Sequence, residues 1–278
     1  MEDSTGRIVL IRVAVIFLAL GLSGCQSSAT PEIEQPTPTH QIVETSSPTE
    51  VVPTRTSIPT NTPDPLVEQA RAFAEPILEA IANRPPDYQD DFSDPTSGWD
   101  IMSYANGERS GKVGYEDGEY FFIADAASAQ YRNVHSWLQI PGLSVSDFVM
   151  EFDARFVSAH QGTIYMHFRV QKKDVYAADV SLDGWVRLGT ATINGPREGS
   201  AETSTDLVKP RQTNRIRIIA LGPQIALYLN DQPVLMFHEE FVDHGRVILG
   251  IWNGSSAPMQ VNFDNVKFWS LENVPELP

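Results

Sequence analysis

Two acidic residues, Glu151 and Asp153, lie two positions apart in a segment whose composition suits a β-strand. Side chains two positions apart point to the same face of a strand, so the two carboxylates would be neighbours. Glycoside hydrolysis needs two carboxyl groups flanking the scissile bond, roughly 5–9.5 Å apart. The two acids also alternate with Met150 and Phe152, which is what a half-buried strand requires. This alternation favours a structural role for the pair over a catalytic one.

A second group of polar and aromatic residues is predicted to share one face of neighbouring strands. In residues 163–171 apolar side chains take every second position. The next two predicted strands, residues 174–181 and 185–192, show the same alternation. If these strands pair as hairpins, one open face carries Tyr165, His167, Arg169, Asp179, Trp185 and Arg187. Saccharides are bound by aromatic rings and by charged hydrogen-bonding groups, so this face is a candidate carbohydrate-binding site, with Trp252 as a second-rank member. The alternative is that Arg–Asp pairs across the strands only solvate the sheet.

Other kinds of site find less support. The cluster His238, Glu239, Glu240, Asp243 and His244 has no zinc-motif spacing and is typical of a solvated loop. The chain has a single Cys and no G-x-S-x-G segment, so neither a Cys-based zinc site nor a serine-hydrolase nucleophile is predicted. We predict no catalytic metal and no cofactor. A structural Ca²⁺ ion remains a possibility, with oxygen ligands from Asp90, Asp91, Asp94 and Asp264.

The elements that would position these residues are strands. From Tyr88 to Leu271 the hydrophobic pattern has period two, and turn signals such as Asp117-Gly118 and Asp183-Gly184 separate twelve strand candidates. No amphipathic stretch of helical length occurs in this region. The pattern predicts an all-β fold, a two-sheet antiparallel sandwich over residues 87–273.

Four segments of this region are similar to a known family. Residues 91–99 (DFSDPTSGW), 168–171 (FRVQ), 178–188 (ADVSLDGWVRL) and 261–269 (VNFDNVKFW) resemble the bacterial concanavalin A-like lectin/glucanase domains, which include LamG-like domains. The resemblance covers residues 88–272 and implies a jelly roll. It leaves the activity open, since this sandwich carries lectins, glycosidases and spacer domains. The related group of 3-keto-disaccharide hydrolases is the nearest enzymatic relative that the resemblance suggests.

The resemblance also bears on the two acids. Laminarinase-type members of this fold carry E-x-D-x-x-E or E-x-D-x-E on one strand, whereas positions 155 and 156 are Arg and Phe here. The second Glu is missing, so we predict no catalytic residues and a non-catalytic domain that binds carbohydrate or another surface polymer. Two alternatives stay open. One is a glycoside or 3-keto-disaccharide hydrolase using Glu151, Asp153 or Asp179, and the other is a structural or adhesion spacer.

The N-terminus is predicted to be a lipoprotein signal peptide over residues 1–24. Arg7 and Arg12 flank an apolar run of about ten residues, which is too short to span a bilayer of roughly 30 Å. The run ends in Leu22-Ser23-Gly24-Cys25, which resembles the lipobox of bacterial lipoproteins. That resemblance implies cleavage before Cys25 and lipidation of its thiol. The predicted location is the cell membrane, with the lipid-anchored protein facing the extracellular or periplasmic side.

A stalk and a short helix are predicted between the anchor and the sandwich. Residues 26–65 hold 8 Pro and 14 Ser or Thr, so residues 25–64 should form a disordered linker. Asp64 is a good N-cap and Pro65 a good first residue for an amphipathic helix within 65–86. Its apolar stripe should pack on the following domain, with a kink or split near Pro76. A helix that binds a partner is the alternative.

The net charge narrows the choice of partner. With 20 Lys and Arg against 36 Asp and Glu, the chain carries a formal charge of −16. Phosphate backbones are bound by basic surfaces, so nucleic acid is excluded as a partner. An acidic surface is not attracted to anionic lipids either, and the predicted membrane association therefore depends on the lipid at Cys25.

Overall fold

The computed structural model describes residues 64–107, 109–126, 134–193, 195–275 and 277. The predicted signal peptide, Cys25 and the predicted linker up to residue 63 lie outside the described residues. The described chain holds one helix and fifteen strands, so the all-β prediction is confirmed.

Helix α1, Pro65–Ile81, begins at Asp64, whose Oδ1 accepts the Leu66 N–H at 2.9 Å. It continues through Pro76 as one helix, without the split that was one of the two predicted outcomes; a kink there stays a prediction. Its apolar stripe is buried against the outer side of one sheet, where it contacts the residues Val149, Ile219, Ala226, Tyr228 and Met236. The helix therefore packs on the sandwich. This was the first of the two predicted alternatives, the other being a helix that binds a partner.

The strands of the described chain form two antiparallel sheets. Sheet A contains β1 Tyr88–Asp90, β2 Met102–Ala105, β3 Arg109–Glu116, β4 Glu119–Ala126, β6 Phe148–Ser158, β11 Thr213–Leu221, β12 Gln224–Leu229, β13 Gln232–His238 and β15 Met259–Ser270. Sheet B contains β5 Val134–Val145, β7 Gly162–Gln171, β8 Asp174–Ser181, β9 Trp185–Thr192, β10 Gly195–Ser204 and β14 Gly245–Asn253. Sheet A runs in the order β13-β12-β11-β6-β15-β4-β3-β2, with β1 paired to β15, and sheet B runs β10-β9-β8-β7-β14-β5.

The core lies between the two sheets. Alternate residues of each strand point inward, as Met150 and Phe152 do from β6 and Met166 and Phe168 do from β7. Pairs of aromatic rings pack against one another in this core. In one such pair Phe168 is stacked on Tyr176, with ring centroids 5.5 Å apart. The outer faces of the two sheets lie on opposite sides of the sandwich, and α1 covers part of the face of sheet A.

Three strands differ from the sequence prediction. β1, β2 and β10 were not predicted, because they are short or lie in segments rich in Gly, Pro, Ser and Glu. Such composition is ordinarily that of loops. β10 nevertheless pairs with β9 and forms one edge of sheet B.

Candidate functional site

The outward side of sheet B, here called the sheet B face, carries most of the predicted site residues. The strand register places Gly250, Tyr165, Asp179, Arg187 and Glu202 side by side on β14, β7, β8, β9 and β10. Neighbouring strands are about 4.8 Å apart, so this row extends across the sheet over about 19 Å. The prediction that hairpin pairing brings Tyr165, Asp179 and Arg187 together is confirmed by the register.

Asp179 and Arg187 form an ion pair at the middle of the row. Asp179 Oδ2 accepts from Arg187 Nη1 at 2.6 Å, and Arg187 Nη2 donates to the carbonyl oxygen of Thr190 at 2.9 Å. The two side chains are 14% and 7% exposed. Burial raises the pKa of the Asp179 carboxyl, and the nearby Arg187 charge opposes that rise.

The third guanidinium nitrogen of Arg187 lacks a hydrogen bond. Its Nε is the one buried side-chain nitrogen or oxygen atom without such a partner among the described residues. Glu202 Oε1 lies 4.0 Å away and is held at 2.9 Å by the Ser200 hydroxyl. The Glu202 side chain is 49% exposed, so the charged part of the row opens to solvent at β10.

Tyr165 and His167 form the aromatic part of the face. The Tyr165 ring lies across Gly250, where a Cβ atom would be 2.7 Å from Cε2. The His167 ring packs beside it, with ring centroids 4.8 Å apart. Burial raises the pKa of the Tyr165 hydroxyl, and the charge of Asp179 raises it further. Glycine at position 250 is therefore what lets the Tyr165 ring lie flat on the sheet.

Two tryptophans lie on one side of this row. Trp252, on β14, is half-buried and packs against the cluster that contains Tyr165. Its ring lies over Gly254, where a Cβ would be 2.6 Å from Cη2. Trp185 begins β9 on the same face as Arg187, and its backbone N–H donates to Asp183 Oδ1 at 3.3 Å. Between these two tryptophans, Thr163 and Ser181 join their hydroxyls at 2.5 Å.

A sequence model of the 3-keto-alpha-glucoside-1,2-lyase-like domain matches residues 90–268, which is most of the sandwich. The chain belongs to this family. The family match confirms the predicted resemblance to concanavalin A-like domains related to 3-keto-disaccharide hydrolases. A comparison with curated protein sequences finds no match.

Three solved structures of similar fold are from Bacillus species. A galectin-like protein of unknown function from Bacillus subtilis has a TM-score of 0.51 and 10% identity, and the match covers 67% of this chain and 96% of that one. The carbohydrate binding module CBM66 from Bacillus subtilis has 23% identity and a TM-score of 0.43, over 62% of this chain and 96% of that one. The β-glucanase of Bacillus licheniformis has 11% identity and a TM-score of 0.49, over 68% and 100%.

In this member of the 3-keto-alpha-glucoside-1,2-lyase-like family, Arg169 does not lie on the sheet B face as predicted. A β-bulge between Phe168 and Gln171, with φ of 50° at Arg169, breaks the alternation, and Val170 takes the outward position instead. Arg169 is 2% exposed. Its guanidinium donates to Ser146 O at 2.8 Å, to Gly222 O at 2.8 Å and to Asp147 Oδ1 at 3.0 Å. It ties β7 to the turns of sheet A and is a structural residue.

A pocket of about 480 Å³ lies at the end of the sandwich where Arg169 is buried. Its walls include Asp147, Arg169, Gln171, Tyr176, Phe241 and Asp243. The Tyr176 hydroxyl donates to Glu239 O at 2.5 Å and accepts from the Phe241 N–H at 3.0 Å. Gln171 donates to Asp243 Oδ1 at 3.0 Å. These groups are paired with one another and hold the loop that precedes β14.

The carboxylates Glu151 and Asp153 lie outside the sheet B face, on the outer side of sheet A. Arg217 forms hydrogen bonds to Glu151, and Arg215 Nε lies 3.7 Å from Glu151 Oε1 and 3.4 Å from Asp153 Oδ1. Both acids are less than 10% exposed. Arg215 and Arg217 neutralise the two carboxylates, as is expected of a structural charge network. Glu151 and Asp153 share no groove with Asp179, because they lie on sheet A and Asp179 lies on sheet B.

The residues considered for Ca²⁺ use their carboxylates in local turns. Asp91 and Asp94 accept from the backbone and hydroxyl groups of Ser93 and Thr96, and these hydrogen bonds lower the pKa of both acids. Among the described residues no three His, Cys, Asp or Glu side chains lie close enough to hold a metal ion. The Ca²⁺ ion remains a prediction from the sequence.

Two members of the face were missed by the sequence interpretation. Glu202 lies on the unpredicted strand β10, where Ala201 packs toward the core between Ser200 and Glu202. That polar–apolar–polar alternation is the signal that was available. Gly250 was read as a part of strand β14, and its role as the surface beneath Tyr165 depends on the strand register. Trp99, at the end of the family-like segment 91–99, is 4% exposed and belongs to the core.

Proposed function

We propose that this protein is a cell-surface lipoprotein whose β-sandwich binds carbohydrate on the sheet B face without catalysing its cleavage. The observation that carries the proposal is the row from Tyr165 through Asp179 and Arg187 to Glu202. Its carboxylates and guanidinium offer acceptors and donors to sugar hydroxyls, and the half-buried Trp185, two residues from Arg187, offers a ring for stacking.

The state of Arg187 supports binding over plain solvation of the sheet. An exposed Arg–Asp pair would leave its remaining N–H groups in water. Arg187 is 7% exposed, and its Nε has no hydrogen-bond acceptor among the described residues. Leaving a buried donor unpaired costs about 1–3 kcal/mol. A sugar hydroxyl that enters when Glu202 turns aside would supply an acceptor for Nε and a donor for the carboxylate.

The attachment to the membrane rests on the sequence of the first 25 residues. The lipobox-like segment Leu22–Cys25 and the Pro- and Thr-rich linker favour a domain carried away from the membrane on a stalk. Several acyl chains on one residue give stable anchoring, whereas a single chain gives reversible binding. The third possibility considered, a spacer without a ligand, would be favoured if α1 covered the sheet B face. Helix α1 packs on sheet A instead.

A second candidate function is elimination on a 3-keto glycoside, as the description of the family suggests. In a 1,2-elimination a base removes the C2 proton, which the neighbouring ketone makes acidic. The electron pair of the C2–H bond forms the C1–C2 double bond, and the C1–O bond breaks with its electron pair on the leaving oxygen, which takes a proton from the protonated base or from water. His167 and Asp179 lie beside and across from Tyr165 and are the groups of the sheet B face that could accept the proton. A raised pKa at Asp179 suits such a base.

Binding is tested with the purified full chain on an array of gluco-, galacto-, manno- and fructo-oligosaccharides and uronic acid oligomers. We expect one neutral series to be retained, and Trp185→Ala to weaken that binding roughly tenfold because a stacking ring is lost. Ile193→Ala is the control, since Ile193 is 42% exposed at the other end of β9. The proposal fails if no saccharide is retained or if binding is the same with and without Trp185.

The elimination is tested separately by incubating the same protein with a 3-keto-glucoside and measuring release of the leaving group. We expect no release above that of buffer. Release that is lost in both His167→Gln and Asp179→Asn would replace the binding proposal with the lyase.

A further inference from the structure

The pocket of about 480 Å³ lies at the end of the strands away from Trp185. Four segments meet there: the β5–β6 turn, the end of β7, the β11–β12 turn and the loop that precedes β14. Its walls include Asp147, Gln171, Pro223, Glu240 and Asp243. Pockets that bind small molecules have volumes of about 300–1,000 Å³, so this one has room for a small organic ligand.

Arg169 holds the back of this pocket. A β-bulge in β7, with φ of 50° at this residue, turns its side chain off the sheet B face. The buried guanidinium donates to Ser146 O, to Asp147 Oδ1 and to Gly222 O. Bulges are often found beside functional sites, where they re-aim a side chain. Here the bulge fastens two turns to β7, so the walls are in place before a ligand enters, which lowers the cost of binding.

The polar groups that the pocket leaves for a ligand are acceptors. Asp147 accepts from Arg169 and from the Gly222 N–H through Oδ1, while its Oδ2 has no hydrogen bond to the described residues. Gln171 donates through its amide nitrogen to the loop that precedes β14, and its Oε1 has no partner in the described part of the chain. Glu240 is exposed and forms no ion pair within the same residues. A ligand that fits must therefore bring donors.

The charge of the walls narrows the class of ligand further. Asp147 is neutralised by Arg169, whose Nη2 lies 3.0 Å from its Oδ1. Glu240 and Asp243 remain as exposed carboxylates, and the basic neighbour of Asp243 is His244, at 2.7 Å. This side of the pocket therefore attracts a cation and repels an anion. No three acidic, His or Cys side chains of the described residues are close enough to share a metal ion, so an organic cation fits better.

We propose that this pocket binds an amino sugar, a ring that carries both hydroxyl groups and an ammonium group. The ammonium group lies near Glu240 and Asp243. The hydroxyls donate to Asp147 Oδ2 and Gln171 Oε1, and the carbon skeleton of the ring rests on Pro223. The site is separate from the sheet B face, and neither proposal requires the other.

Calorimetric titration of the full chain tests the site with β-1,4-linked oligomers of glucosamine, of N-acetylglucosamine and of glucose, each of one to three units. We expect the glucosamine series to bind roughly tenfold more tightly than the other two, because it alone carries ammonium groups. Its affinity should fall as NaCl is raised from about 50 to about 500 mM, since salt screens exposed charges.

The double variant Glu240→Gln/Asp243→Asn removes the two exposed carboxylates and should lose roughly tenfold in affinity for glucosamine oligomers. Both residues are exposed, so the fold should be retained. Asp206→Asn is the matched control, because Asp206 is an exposed acid between β10 and β11, at the other end of the strands. It should bind as the unmodified protein does.

Trp185→Ala should also bind glucosamine oligomers unchanged, which separates this pocket from the sheet B face. Loss of that binding in Trp185→Ala would overturn the inference and assign the amino sugar to the sheet B face. The inference is also overturned if the glucosamine series binds no more tightly than the N-acetylated series, or if the double variant binds as well as Asp206→Asn. In each case the array of neutral saccharides decides the proposed function separately.

Discussion

Asp179 and Arg187 are charged groups that the fold withdraws almost completely from water. Their side chains are 14% and 7% exposed, and they lie at the middle of an outward face instead of between the sheets. Desolvation offsets much of the attraction in a buried ion pair, so such a pair contributes little to stability compared with apolar residues of the same size. Its presence beside Tyr165 and Glu202 is therefore better explained by recognition than by stability.

The pKa of Asp179 predicts an unusual dependence of stability on pH. Burial raises this pKa in the folded protein above the unfolded value of about 3.9. The stabilisation from its protonation is fully present below the unfolded pKa and is lost as pH rises through the folded pKa. Asp179→Asn does not titrate there. The quantity to follow is the free energy of unfolding of the unmodified protein minus that of Asp179→Asn. We expect this difference to fall as the pH rises, by at most about 1.4 kcal/mol per pH unit.

Asp91→Asn is the control, and its difference should have the opposite sign. Hydrogen bonds from Ser93 lower the pKa of Asp91, so its contribution is present above the unfolded pKa and is lost as pH falls. Urea unfolding of the three proteins between pH 3 and pH 7, read by tryptophan fluorescence, measures both differences. A difference for Asp179→Asn that does not vary with pH would contradict the assignment.

At the residue scale, alternation predicted most of the site, and it failed where the backbone departs from a regular strand. Tyr165, Asp179 and Arg187 are adjacent because regular hairpins preserve the period of two. Arg169 follows the same spacing, yet the bulge turns it toward Ser146 and Gly222. The acceptors that hold it are carbonyl groups distant in sequence, and no local pattern contains them.

Three aromatic rings of the sheet surfaces lie on glycines of strands or turns. Tyr165 covers Gly250, Tyr104 covers Gly111, and Trp252 covers Gly254. Glycine leaves a strand without a side chain to pack, and a neighbouring aromatic ring can cover the gap. At the element scale these glycines therefore act as the surface on which the rings are held flat.

Gly250→Ala tests this arrangement. A Cβ at position 250 would lie 2.5 Å from the Tyr165 hydroxyl oxygen and 2.7 Å from Cε2, so the ring must move off the strand. We expect saccharide affinity to fall roughly tenfold as this contact is lost, and stability to fall by about 1–3 kcal/mol from overpacking. The array assay and guanidinium unfolding measure the two effects.

The control is Gly114→Ala, because a Cβ there would lie 3.4 Å from Phe121 Cζ, an ordinary contact distance. It should leave saccharide binding unchanged. If Gly250→Ala binds saccharide as well as Gly114→Ala does, the position of the Tyr165 ring is not what the ligand requires.

At the scale of the elements, the sequence predicted the strands that bury one side in the core. β6, β7 and β14 alternate because inward residues such as Phe152, Met166 and Leu249 must be apolar. β2 and β10 lie at sheet edges, and all four residues of β2 are exposed. β2 has no hydrophobic period to detect, which is why Tyr104 could not be placed from the sequence, whereas β10 offers only the short alternation around Ala201.

At the scale of the whole molecule, the two sides of the sandwich have different roles. Helix α1, which continues from the linker, buries Phe73 and Ile77 on the outer side of sheet A together with Val149. The sheet B face lies on the opposite side, where Asp179 and Arg187 are nearly buried and Glu202 is about half exposed. The helix that follows the predicted linker thus packs on the side away from the proposed ligand.

Membrane attachment of the whole protein is predicted to depend on one atom, Cys25 Sγ. Among the described residues no helix is long and apolar enough to cross a bilayer. With a formal charge of −16 the chain gains no attraction to anionic lipids, so the acyl chains would supply the binding, about 0.8 kcal/mol per buried CH₂. In cells that express the full chain, Cys25→Ala should move the protein from the detergent phase to the aqueous phase and abolish incorporation of labelled palmitate. Ser27→Ala, two residues further on, should change neither, whereas a Cys25→Ala protein that is still processed and still sediments with membranes would show that the anchor lies elsewhere.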